Sequence, residues 1–349
     1  MAGCSRTGLD VPSCADGGVV PVCYDEAGPP QGLEVLFTQP EPTLPCDIVT
    51  YETSPSLVVD PSNAYWMTPF AACGDNSGLQ APPRVSSVIM RTSLCGRGSA
   101  VVAAPFTAEP SSPFAVDPTA LYEIDDQGTI ARASLAGGCS TSFVTGHFPL
   151  SLALDATNLY WTDREAETVM KLPLSGGLPT PLSQPLGNTL FGLAVDDAGA
   201  YTELWTVALE RLPLGGGDAT PLVQTPYPVT VDEIVTVGGN VYWTSWNDSS
   251  TPTSYFLSTV PETGGTPLVL SNDPAYGFAT DGASVYWTES TCGTYAPGCP
   301  GALKKMSAGG GTPVTLTTGW TYNGPAAVAV DATSVYWTSG NTLLRFTPK

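Results

Sequence analysis

The chain has 349 residues, 42% of them hydrophobic, with 12 basic against 32 acidic side chains and a net charge of −20. That balance excludes a nucleic-acid partner, because phosphates have to be neutralised by Lys and Arg. It leaves room for a cationic partner or Ca²⁺, although a solvated acidic surface is the simpler reading. No apolar run reaches the roughly 18 residues of a membrane helix.

Residues 1–45 hold Cys4, Cys14 and Cys23, Gly and Pro clusters and little periodicity. They read as an exposed cysteine-containing segment and linker, ending after Gly28-Pro29-Pro30. Nine cysteines favour an oxidising compartment. Met1-Ala2-Gly3-Cys4 resembles the end of a bacterial lipobox, with Cys4 as the lipidated residue; eight cysteines then remain, an even number that permits disulfides. Membrane attachment is expected only through such an anchor, and the expected location is the cell envelope, as an outer-membrane lipoprotein, or secretion.

From residue 46 to 349 one phrase recurs: an apolar strand, a polar turn with Asp, and a second strand with Tyr. The tyrosines are Tyr65, Tyr122, Tyr160, Tyr201, Tyr242, Tyr286 and Tyr336. Trp follows in five copies (Trp66, Trp161, Trp243, Trp287, Trp337), while Glu123 and Thr202 take its place in two. Asp60, Asp117, Asp155, Asp196, Asp281 and Asp331 precede the tyrosines by five residues, and Val237 holds that place in the fifth copy. The spacing suits one four-stranded propeller blade per copy. Strands A to D of the third blade are legible as Leu152–Leu154, Leu159–Thr162, Thr168–Leu172 and Pro181-Leu182, with Gly176-Gly177 turning between the last two.

The expected fold is therefore all-β, a seven-bladed β-propeller of four-stranded antiparallel blades. The seventh copy ends after strand C, so an N-terminal strand must complete it; Asp47–Thr50, within 46–51, has the right spacing before Asp60. Strand C carries a cation at one position in six copies: Arg91, Arg132, Lys171, Arg211, Lys305 and Arg345. Ser258 is placed there in blade five, the copy that also lacks Asp. Asp–Arg/Lys pairing within or between blades is expected, and the Tyr and Trp of strand B read as inter-blade packing.

Tyr160-Trp161-Thr162-Asp163 matches in full the repeat of the low-density lipoprotein receptor propellers, which the region 46–349 resembles; copies at Trp243, Trp287 and Trp337 keep only Trp-Thr. Those receptor propellers have six blades and serve ligand binding and release, so the resemblance implies architecture rather than a transferable ligand site. Asp-Xaa-Xaa-Xaa-Val-Tyr-Trp-Thr units with Gly-Gly-Thr-Pro turns look closer to bacterial envelope relatives.

B–C and D–A connections share one face, and there the repeat breaks. Blade one inserts Phe70 to Asp75 and beyond, blade five Trp246-Asn247-Asp248, and blade six Cys292 to Cys299 around Tyr295. D–A connections add His147, Phe148, Tyr227, Tyr276, Trp320, Tyr322 and Asn323. Variable loops on a rigid scaffold concentrate function, so Phe70, Asp75, Trp246, Asn247, Asp248, Tyr295, Trp320, Tyr322 and Asn323 are the candidate ligand residues. Cys292 and Cys299 are expected to form a local disulfide. His147 is the sole histidine, which excludes a histidine-based metal site, and neither a metal cluster nor a catalytic set is read from the sequence. The reading is a binding or scaffolding module for a protein or glycan. The alternative is a propeller hydrolase or lyase, lactonase-like or streptogramin-lyase-like, with a central-channel site.

Overall fold

The structure is a computed structural model. It describes residues 32–38, 56–71, 85–94, 99–103, 113–125, 127–136, 140–204, 208–224, 230–247, 254–272, 275, 277–290, 299–322, 327–339 and 342–349. These residues form seven four-stranded antiparallel sheets in sequential order, the blades of a seven-bladed propeller. Strand A of each blade adjoins strand A of the next around most of the ring, so the A strands lie innermost.

Each A–B hairpin is built by its Asp. In blade three, Asp155 Oδ1 accepts the amides of Thr157 (2.6 Å) and Asn158 (2.7 Å), and Oδ2 accepts the Tyr160 hydroxyl at 2.6 Å. The same arrangement recurs at Asp60, Asp117, Asp281 and Asp331. A short side chain that satisfies turn amides is what favours Asp there. The exception in blade five follows from the same chemistry. Val237 pairs with Asn240 across Gly238-Gly239, both at positive φ (61° and 77°), the backbone of a two-residue hairpin turn that needs no side-chain cap.

The gaps between blades hold the core. Tyr122 of blade two faces Trp161 of blade three, Tyr201 faces Trp243, and Tyr286 faces Trp337, each inside one apolar cluster. The rule is that the Tyr face of one blade meets the Trp face of the next, and the rings involved are almost wholly buried. Two blades break it. Glu123 occupies the Trp position in blade two, and in blade four Thr202 does so with Glu210 directly across strand C; both carboxyls are buried.

Closure differs from the expectation in position. The strand completing blade seven is Gly32–Thr38, antiparallel to Thr342–Thr347 with Glu34 opposite Arg345. Residues 46–51 lie outside the described residues, and the closing strand comes from inside the segment read as a linker. Leu36 and Phe37 show why: they pack on the cluster of Trp66, Tyr336 and Leu343, between blades seven and one. The spacing before Asp60 gave no sight of that apolar anchor.

Candidate functional site on the loop-rich face

The six strand-C cations stand directly opposite their tyrosines, as in Tyr160 opposite Lys171 and Tyr336 opposite Arg345. In blade five the residue at that register is Thr259, with Ser258 opposite Trp243 instead. It is the tyrosine hydroxyl, rather than the cation, that meets the carboxylate. Among the described residues none of the six aspartates makes an ion pair with a strand-C cation, whereas Asp281 of blade six pairs with Lys349 Nζ, at the end of blade seven, at 2.7 Å. The cation takes the other side of the phenol: Lys171 and Lys305 lie 5.5 Å from the Tyr160 and Tyr286 ring centres, and Arg132 Nε donates to the Tyr122 hydroxyl at 3.2 Å. Several then cross to the following blade: Arg91 donates to Leu135 O (3.0 Å), Lys171 to Leu214 O (3.2 Å) and Arg345 to Leu94 O (2.5 Å). Burial, with Asp331 as hydrogen-bond acceptor, pushes the Tyr336 phenol up to about 12. The hydrogen bonds from Tyr160, Thr157 and Asn158 overcome the burial that raises Asp155 and push it down to about 2. This face is scaffold.

On the opposite face, where loops break the repeat, the sequence-predicted residues scatter. Trp246 and Asn247 end strand B of blade five, part-exposed and opposite Tyr255 and Ser254. Trp320 is buried; its ring packs where a Cβ on Gly301 would come within 2.4 Å, and lies 5.7 Å from Trp337. It belongs to the core between blades six and seven. Phe70 pairs with Ser86 in blade one, and Tyr322 with Cys299 in blade six, through the backbone. Asp75, Asp248, Tyr295, Asn323, Tyr227, Tyr276, Cys292 and Cys4 lie outside the described residues. Cys299 is disulfide-bonded.

What the loop-rich face does bring together is a set that the sequence left dispersed. His147, in the connection from blade two to blade three, places Nδ1 2.5 Å from Asp163 Oδ2 at the end of strand B of blade three. Asp163 is buried, and its Oδ1 accepts the amides of Glu165 (3.0 Å) and Ala166 (2.9 Å). Trp161 Nε1 stands 3.4 Å from Oδ2, and the indole meets the imidazole edge-on at 5.4 Å. Burial alone would raise the Asp163 carboxyl, but the Ala166 amide and His147 hold it below the usual carboxylate range. An acceptor so held requires the proton on Nδ1. Next to His147, Phe148 is 49% exposed, and Phe191 at the start of strand A of blade four is 38% exposed. The signal for this site was present: the one full Tyr-Trp-Thr-Asp copy belongs to the blade that the lone histidine precedes.

No family model matches the chain, and no curated protein matches it. Solved structures do. A catalytically inactive variant of virginiamycin B lyase from Staphylococcus aureus, with quinupristin, aligns over 91% of this chain and 99% of its own at 10% identity, TM-score 0.58. The computationally designed protein Ika8 aligns over 85% and 96% at 11% identity, TM-score 0.55. A nidogen/laminin complex aligns over 64% and 91% at 19% identity, TM-score 0.47. The first two likenesses are to the fold alone. The site therefore has to be read from its own geometry.

Proposed function

We propose that the chain is an extracytoplasmic binding or scaffolding propeller that recognises a protein or glycan through its loop-rich face. The observation that carries this is the exposure of Phe148 and Phe191 on two adjacent blades of that face, with Trp246 part-exposed on the next. Partly exposed aromatic rings on a rigid scaffold are the anchors that interfaces and sugar sites use. Extracytoplasmic placement is supported by the disulfide at Cys299, with Cys292 as its proposed partner, and by the cysteine content. A lipid at Cys4 is the proposed attachment.

Glycan and peptide arrays probed with wild type, Phe148→Ala, Phe191→Ala and Trp246→Ala test the reading. Loss of a wild-type signal of tenfold or more in at least one variant, with an unchanged melting curve, is expected. Unchanged binding in all three would remove the face. The hydrolase or lyase alternative has one observation in its favour, the His147–Asp163 pair.

A further inference from the structure

The geometry points to His147 Nε2 as a proton-acceptor site: we propose that it accepts a hydrogen bond from a neutral O–H group carried on an apolar or aromatic body, with Phe148 as the platform for that body. Three observations carry this. The imidazole is fixed on two sides, by Asp163 at Nδ1 and by the Trp161 edge. Asp163 is itself fixed, by two backbone amides and by burial, so it acts as an acceptor and sets the Nδ1–H tautomer. In the neutral imidazole that leaves the lone pair on Nε2, for which no hydrogen bond is found among the described residues, on a side chain 24% exposed.

Phe148 adds the apolar half. Its ring lies over Gly128, where a Cβ would sit 3.8 Å from Cδ1 and 3.1 Å from His147 O. Gly128, at φ 70°, puts no side chain against that ring. A ligand hydroxyl donating to Nε2 leaves the imidazole neutral. If the proton transfers fully, it passes from the ligand oxygen to Nε2, and the imidazolium is balanced by the Asp163 carboxylate while the ligand leaves as its oxyanion. This site shares the loop-rich face with the proposed binding function but does not depend on the partner's identity.

The lone histidine makes the test unambiguous. In the 349-residue protein labelled with ¹⁵N-histidine, the single imidazole in its neutral form is expected as the Nδ1–H tautomer, with Nε2 showing the unprotonated nitrogen shift. Phenol titration is expected to move the Nε2 signal saturably, whereas anisole, the same ring without the donor, leaves it in place. Asp163→Asn is expected to shift the population toward the Nε2–H tautomer and to weaken the phenol response at least fivefold; Phe148→Ala is expected to weaken it with the tautomer unchanged. An Nε2–H tautomer in wild type, an absent phenol response, or an equal response to anisole would each overturn the proposal. Array binding that survives any of these results would leave the binding face standing.

Discussion

A single buried carboxyl sets the clearest residue-scale expectation. Glu123 occupies a tryptophan's place between blades one and two, and desolvation pushes it from 4.5 to about 7, against the Ser140 hydroxyl that donates to it. Folded Glu123 thus keeps its proton up to about pH 7, while the unfolded chain releases it near 4.5. The folded state binds more protons in that window, so Glu123's contribution to stability is full below about 4.5 and is lost as pH rises through 7. The shift corresponds to roughly 3 kcal/mol. Urea melts at pH 5 and pH 8 are expected to show wild type losing most of that amount, with Glu123→Gln nearly flat. Equal slopes would place the carboxyl in a wetter site than its burial indicates. Glu210 is raised in the same direction, also by burial, so a double variant should be flatter still.

At the scale of the element, the blade reads as an Asp–Tyr–cation stack with a cross-blade tie at its end. Lys171→Met keeps the apolar stem over Tyr160 but removes the hydrogen bond to Leu214 O and the charge over the ring. A loss of about 1–2 kcal/mol in chemical denaturation is expected, and a change below about 0.3 kcal/mol would make the tie decorative. Trp320 gives a second case. Because its ring fills the space against Gly301 and Trp337, Trp320→Ala is expected to destabilise by about 3–5 kcal/mol, and Gly301→Ala to destabilise through steric overlap. Both belong to melting curves rather than binding curves. These elements also mark where sequence reading stopped. The period showed seven hairpins, their Asp turns and their strand-C cations, because those are local in the chain. It could not show that a tyrosine stands between Asp and cation, nor that Trp320 turns inward, since both depend on register. One residue of register error placed Ser258 where Thr259 stands. His147 and Asp163, sixteen residues apart, met only once the D–A connection and the strand-B end were folded against each other.

For the whole molecule, the ring depends on one closure made across 311 residues of sequence, where Arg345 meets Glu34. Arg345 is nearly buried and serves three blade elements: Glu34 of the closing strand, Leu94 O of blade one, and the adjacent Tyr336. Every other blade is assembled from a contiguous stretch, so its strands find one another locally; this blade alone pays the entropy of joining distant ends. The apolar seal of Leu36 and Phe37 on Trp66 offsets that entropy, and the guanidinium fixes the register. Removing the guanidinium should therefore loosen the seam before the rest. Arg345→Met is expected to lower global stability by about 2–4 kcal/mol, since it strips a buried group of several charge-assisted bonds. In hydrogen exchange, amides in Gly32–Thr38 and Thr342–Thr347 are expected to accelerate tenfold or more, with Asn158–Asp163 of blade three holding its protection. Uniform acceleration around the ring would instead mean that the seven blades open as one unit and that the seam has no separate stability. The distinction reaches the functional face, because blades two to four carry His147, Phe148 and Phe191 away from the seam. A ring that opens at blade seven first leaves the Asp163-held imidazole in place, and Arg345→Met would then retain the wild-type Nδ1–H tautomer while losing closure.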